Sequence, residues 1–433
     1  VRDIVLALTI LAALPIIWKR PWFGIIVWTW LGFMNPHRMA WGFMVDMPVA
    51  MVVALVTLLS VLKSPEPKKI PWTRESIVLA VFMVWMTVTT VFAQQQAAAW
   101  EQWEKVAKIQ LMIFVAMMLI TDRQRLDWLV WTIVVSIGFY GIKGGVFTIV
   151  NGGAHRVYGP PGTFIADNNS MGLALAMTVP LMYYLYQQAS RFYVRWGLIA
   201  AMLLTSLAAF GTHSRGALLG MAAMGAMLWW KSRQKILMGM LVGLGAGAVF
   251  LFMPEEWFDR MASIKTYEED GSVQGRFRAW NFAMGMASSR VTGGGFETFR
   301  GGTDAHSIYF EVLGEHGYIG LALFLALWLF TWMSASRIRR RTEKHPDTAW
   351  MASLARMTQV SLVAYLSAGA FLGMAYFDYP YNLVVIIVAC SAMLAAQRAA
   401  PAPAAAPAAD AAGALPASPR RVGWRRSSQR QPS

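Results

Sequence analysis

Residues 304–333 read DAHSIYFEVLGEHGYIGLALFLALWLFTWM. The apolar run beginning at Ile308 has the length for crossing a bilayer as a helix, which takes about 20 mostly apolar residues. Just before it stand Asp304, His306 and Ser307, at what would be the membrane surface. Nothing about crossing a membrane requires a histidine there, so one stretch points both to a fold and to a site.

Outward from it, the same apolar character recurs along the whole chain. Segments fall near 4–18, 22–34, 46–62, 77–93, 107–121, 128–150, 170–187, 195–211, 216–230, 236–252, 308–333, 356–374 and 381–396. The 433-residue chain is 57% hydrophobic and 14% charged, against about 25% charge in a soluble domain. Hydrocarbon satisfies no backbone group, so such a chain is expected to be an all-α polytopic membrane protein. The first two segments are short, which leaves the count at twelve or thirteen spans. The 20 tryptophans suit interfacial belts.

The connections alternate in charge. Lys19-Arg20, Lys63 to Lys69, Arg123 to Arg125, Arg191 to Arg195, Lys231 to Lys235 and Arg337 to Lys344 occupy every second one. Enrichment of Lys and Arg marks the cytoplasmic side. Connections 35–45, 94–106, 151–169, 212–215, 253–307 and 375–380 are then extracytoplasmic. The expected organisation is a transmembrane domain over 1–398, with 253–305 as an outer lid, and a tail over 399–433. That tail is rich in Ala and Pro and then in Arg, too poor in large apolar residues to bury a core. Its arginines suit the cytoplasmic surface and anionic lipid heads. The net charge of +15 is accounted for in this way, without a nucleic-acid partner.

Several arginines break the pattern by lying in outer connections: Arg156, Arg215, Arg276, Arg278, Arg290 and Arg300. A guanidinium offers a planar fork of donors matched to phosphate oxygens. Arg156, Arg215, Arg276 and Arg278 are the candidates for holding a pyrophosphate. Arg215 is the sharpest, because its turn between two apolar segments is only a few residues long. The competing expectation is ion pairing with the loop carboxylates Glu255, Glu256, Asp259, Glu268, Glu269 and Asp270.

His306 is the candidate general base, since a neutral imidazole accepts a proton from a hydroxyl near neutral pH. Asp304 and Ser307 are expected to cap the helix that follows. His213, Glu311 and His316 are candidate supporting residues, Glu311 to orient His306 or pair with an arginine, and His316 almost three turns along the same helix. A base beside a cationic phosphate clamp fits attack of an activated hydroxyl on carbon with departure of a pyrophosphate. Arginines can carry the leaving-group charge without a metal. The lone Cys390 and six scattered histidines offer no metal-ligand spacing, so neither metal nor other cofactor is expected.

Ser214-Arg215-Gly216 opening an apolar helix, Gly275-Arg276 with Trp280, Gly293 to Gly295 before Phe296, and His306 with Gly317 and Gly320 together resemble the O-antigen ligase and O-antigen polymerase superfamily of bacterial envelope proteins. The resemblance covers roughly residues 150–325. Met34-Asn35-Pro36-His37-Arg38 looks like the O-glycosylation ligase subgroup. The resemblance implies about twelve transmembrane helices in a GT-C-type fold in the bacterial inner membrane. It implies transfer of a glycan from undecaprenyl pyrophosphate to a sugar hydroxyl at the periplasmic face, without a metal and typically with inversion. In the ligases the acceptor is lipid A–core. The family's histidine maps onto His306, its arginine after serine onto Arg215, and its loop arginine onto Arg276, with Arg278 as a close competitor. Ser307 stands where many relatives have Asn. A polymerase joining lipid-linked repeat units, a protein glycosyltransferase and a lipid-linked glycan flippase are the alternatives.

Overall fold

A computed structural model of the chain describes residues 1–232, 234–262, 271–299 and 304–399. Arg300, Glu268, Glu269, Asp270 and all but the first residue of the 399–433 tail lie outside the described residues. Residues 1–394 form one compact unit. Of the second, 395–433, only the end of the last helix is described.

Among the described residues the regular structure is wholly helical. In chain order the helices are α1 (Arg2–Lys19), α2 (Pro21–Met34), α3 (Val49–Lys63), α4 (Arg74–Val91), α5 (Gln96–Leu119), α6 (Arg123–Val150), α7 (Asn168–Gln188) and α8 (Phe192–Gly211). They continue with α9 (Arg215–Lys231), α10 (Lys235–Phe252), α11 (Glu255–Ala262), α12 (Gly271–Ser289), α13 (Ile308–Thr342), α14 (Ala349–Ala368) and α15 (Asp378–Ala399). Each of the thirteen apolar segments falls mainly on a helix of its own, except that 356–374 runs past the end of α14 at Ala368 into a 3₁₀ turn, and α11 and α12 lie within the 253–307 connection. By length and apolarity six of them qualify as membrane spans: α4, α6, α8, α10, α13 and α15.

Side chains fix where the helices start. Thr73 accepts from the Ser76 amide while Ser76 Oγ accepts from Thr73, a reciprocal cap on α4. Asp122, Asp167 and Ser214 cap α6, α7 and α9 from one side only. Small residues set how closely the helices pack. A Cβ on Gly145 of α6 would stand 2.3 Å from the Leu204 carbonyl oxygen of α8. α15, with Tyr379, Tyr381 and Ile386 fully buried, lies in the interior, whereas α10 presents nearly all of its surface outward.

The two sets of connections separate to opposite ends of the bundle. At the basic end, Arg125 forms a two-pronged ion pair with Glu66 at 2.7 and 3.0 Å, Arg123 bonds Gln188 at 3.1 Å, and Arg356 pairs with Glu343 at 2.9 Å. At the other end the Gln94 amide donates to Gly294 O at 2.9 Å, Arg290 donates to Phe92 O at 2.7 Å, and the Val157 amide donates to Gly211 O at 3.0 Å. Asp3 receives the Gly42 and Met44 amides there, so α1 starts at this same end. Arg290 is thereby a strut between two turns at that end.

Candidate active site

The turn from α8 to α9 is held from three sides. Ser214 Oγ accepts from the Ala217 amide at 3.1 Å and starts α9 at Arg215. Asn168 at the head of α7 donates to Thr212 O at 2.8 Å. His213 has a left-handed backbone (φ 54), and its Nε2 lies 2.8 Å from Gly153 O, in the 151–167 connection. Because a carbonyl only accepts, Nε2 carries the proton.

The short helix α11 closes over this turn. Arg260 Nε donates to His213 O at 2.9 Å, and Arg215 Nε donates to Arg260 O at 3.0 Å. Trp257 donates to Phe210 O at 3.1 Å. Burial depresses the His213 imidazole below its ordinary value, and the nearby Arg156 and Arg260 charges add to the effect. His213 is therefore a neutral structural brace for Arg215. Arg156 is exposed on the adjoining connection.

His306 sits in the residue before the N-cap of α13, not within the helix. Its backbone is left-handed (φ 45), and its amide donates to Asp304 Oδ1 at 3.1 Å. Its Nδ1 lies 3.3 Å from Asp304 Oδ2, and the side chain is 48% exposed. A carboxylate beside Nδ1 favours the tautomer with the proton there and leaves the Nε2 lone pair to receive one. Trp280 of α12 fixes this segment: its Nε1 donates to Ala305 O at 3.0 Å, and its ring stacks on Phe310 at 4.7 Å. Arg276 and Arg278 precede Trp280 on the same helix, Arg276 partly covered and Arg278 exposed. The expected caps are different in kind. Ser307 occupies the N-cap, but its hydroxyl makes no capping bond, and Asp304 serves the His306 amide and ring instead.

The other supporting candidates find their partners elsewhere. Glu311 accepts from the Ala375 amide at 3.0 Å and, among the described residues, bonds neither His306 nor an arginine. Glu315 accepts from the Glu297 amide at 2.8 Å and from Tyr376 Oη at 2.5 Å. His316 is fully buried, its Nδ1 2.7 Å from Thr89 Oγ1 and its ring packed edge-on against Phe82 and Phe296. The helix does not run on uniformly past it. Gly317 takes φ 66, ψ −171 and divides α13 in two. A side chain there would meet Val291 O at 2.3 Å, so the break is where the 291–295 segment crosses.

His306 and Arg215 share a neighbour. The 3₁₀ turn Gly369–Phe371 after α14 is packed by both α9 and α13. A Cβ on Gly216, next to Arg215, would stand 3.4 Å from Ala368 O, and one on Gly369 would stand 2.7 Å from Ile308. Phe371 approaches Trp280 at 6.4 Å, and a Cβ on Gly373 would lie 3.0 Å from Asp304 Oδ1. His306 and Arg215 thus flank one turn at one end of the bundle. Among the described residues no cluster of His, Cys, Asp or Glu is suited to a metal ion.

Sequence reasoning missed two parts. Asp304 was legible only as a cap, although an acid two residues before a histidine is also a signal for an orienting carboxylate. Arg260 carried no signal, because its partners are backbone carbonyls distant in sequence.

Residues 200–325 match the O-Antigen ligase family, and residues 1–191 match a family of unknown function (DUF5935). No curated protein matches the chain.

Proposed function

We propose that this chain, a member of the O-antigen ligase and polymerase superfamily by its residues 200–325, moves an O-antigen polysaccharide from undecaprenyl pyrophosphate to a sugar hydroxyl of lipid A–core. The reaction takes place in the periplasmic leaflet of the bacterial inner membrane, within a GT-C-type architecture. The sidedness is supported by the basic connections at the end of the bundle away from His306.

The observation that carries the proposal is the half-exposed His306, backed by Asp304, across one shared turn from the arginine that heads α9. His306 Nε2 takes the proton of the acceptor hydroxyl. The hydroxyl oxygen forms the new bond to the anomeric carbon, and the bond from that carbon to the phosphate oxygen breaks. Undecaprenyl pyrophosphate leaves with the electron pair. Arg215, Arg156, Arg276 and Arg278 hold its charge, and the N-terminus of α9 adds its own preference for an anion. Holding donor and acceptor in one chamber makes the encounter effectively unimolecular. With the leaving charge on arginines, the step needs no metal.

Reconstitution tests this. Purified protein is mixed with lipid-linked polysaccharide and lipid A–core, with and without chelator. Polysaccharide attached to core, formed equally in chelator, is the expected product. Longer chains still on the lipid carrier would identify a polymerase. Passage of lipid-linked glycan across a vesicle without a covalent product would identify a flippase.

A further inference from the structure

The first section of α13 carries two carboxylates on one face, Glu311 and Glu315, four residues apart. Crossing a bilayer asks for neither, and acidic side chains on a membrane helix are expensive. Glu315 is buried and Glu311 partly so. The transfer chemistry leaves both unused.

Both reach the connection 372–377, between the Gly369–Phe371 turn and α15. Glu311 Oε2 accepts from the Ala375 amide at 3.0 Å, and Glu315 Oε2 accepts from Tyr376 Oη at 2.5 Å. Tyr365 of α14 and Tyr381 of α15 hold its carbonyls, donating to Met374 O at 3.2 Å and Ala375 O at 2.8 Å. Irregular backbone inside a membrane bundle persists only where its polar groups are paired, and these four side chains pair them. Glu315 Oε1 also accepts from the Glu297 amide at 2.8 Å, while the Gly294 and Gly295 amides donate to the Gly314 and Glu315 carbonyls at 2.9 Å. The turn of α13 that bears Glu315 is thus fixed to two connections at once.

Asp304 rests against the first of them. A Cβ on Gly373 would stand 3.0 Å from Asp304 Oδ1 and 3.5 Å from Glu311 Oε2. Bare backbone at Gly373 therefore lies beside both carboxylates. Asp304 in turn meets the His306 amide through Oδ1 at 3.1 Å and its Nδ1 through Oδ2 at 3.3 Å. An unbroken line of contacts leads from α13 through the connection to the imidazole.

We infer that Glu311 and Glu315 are positioning residues, which hold the 372–377 connection as the seat of Asp304 and through Asp304 set the His306 ring. The consequence for transfer rests on the proposed reaction. The placing of Asp304 does not.

Two experiments on the full chain in nanodiscs separate these. The first needs no substrate. Asp304→Cys/Gly373→Cys is oxidised with copper phenanthroline and disulfide closure is timed, since only neighbouring backbones close such a pair. Adding Glu311→Leu or Glu315→Leu is expected to slow closure several-fold. Glu311→Gln, whose amide oxygen still accepts from the Ala375 amide, should restore it. One rate in all of these, or no closure in the cysteine pair alone, overturns the seat. The second experiment spares both carboxylates, so it decides even where a leucine variant fails to fold. Gly373→Ala adds one methyl against Asp304 Oδ1. Its kcat for transfer is expected to fall roughly tenfold, short of the roughly 100-fold that a misplacement of about 1 Å costs. KM for donor and acceptor should stay unchanged, and Gly373→Ala should cost nothing further in an Asp304→Asn background. An unchanged kcat, or a loss additive with Asp304→Asn, overturns the inference. Wild-type protein that forms no product with any acceptor sinks the proposed transfer instead and leaves the disulfide result standing.

Discussion

Arg215 and Arg260 are locked in sequence-distant succession: Arg215 Nε donates to the Arg260 carbonyl at 3.0 Å, and Arg260 Nε donates onward to the His213 carbonyl at 2.9 Å. Removing Arg260 frees the turn that aims Arg215. Hydrogen bonds from charged donors are worth about 1.5–3 kcal/mol each, less where water competes. Arg260→Ala is therefore expected to weaken binding of the lipid pyrophosphate while Arg215 is still present. It should also lower the thermal midpoint by a few degrees. Donor titration and a melt in detergent measure both, and unchanged donor affinity would count against the brace.

Arg215→Lys keeps the charge but loses the fork. A lysine Nζ cannot reproduce both the Nε contact to Arg260 O and a second contact to phosphate. Transfer is expected to fall roughly 100-fold, the scale seen when one charge-stabilising donor is lost. Steady-state rates at saturating donor provide the check.

Asp304→Asn separates orientation from basicity. The amide keeps the shape and presents a donor to His306 Nδ1, which puts the proton on the wrong nitrogen. Transfer should drop by about 10²–10⁴, the usual worth of a positioned general base. His306→Ala should lose at least as much, and the double variant little more than His306→Ala, because the two act as one unit. Additive losses would show that Asp304 does something else.

Gly317 is expected to be irreplaceable. Gly317→Ala forces a side chain into φ 66 and against Val291 O at 2.3 Å. Backbone strain of this kind costs about 1–3 kcal/mol before the clash is counted. Gly245→Ala, with nothing within 4 Å of the added methyl, should be neutral or stabilising. Paired melts of the two variants give the comparison.

Acid should loosen the α8–α9 turn through His213. Its folded-state proton affinity is lowered, first by burial and then by Arg156 and Arg260. The unfolded chain, with histidine near its ordinary value of about 6.5, therefore takes up a proton before the folded one does. Stability from this group is complete above that pH and is lost as pH falls below it. The parent protein is expected to lose melting temperature between pH 7.5 and pH 5, and His213→Gln should flatten that fall, which paired melts across the range would check.

Much of the fold was legible because a membrane imposes one rule, that apolar stretches become helices. The thirteen apolar segments fall mainly on helices, 356–374 alone running well past its helix end at Ala368, and the alternation of basic connections anticipated which loops meet. The start of α5 was not legible. It begins at Gln96 rather than near 107, because the charges from Glu101 to Lys108 hide a helix whose polar face lines a groove. Nor was the division of α13. Gly317 looks like any small residue in an apolar helix until the crossing of Val291 is seen. In the candidate site, residue types pointed to His306 and Arg215. Asp304 stood two residues before His306 and was readable as more than a cap, whereas Trp280 and Arg260 act on backbone carbonyls through geometry that spacing does not encode.

The Gly369–Phe371 turn gives the two halves of the candidate chemistry a common footing. A proton acceptor and an anion cradle mounted on separate supports would need two parts of the protein held in register. Mounted on the same one, they need no second support, and in the proposed reaction the packing of that turn alone would set the gap between attacking oxygen and departing phosphate. The same economy makes that turn a single point of failure: a wedge driven beneath it would misalign both partners at once.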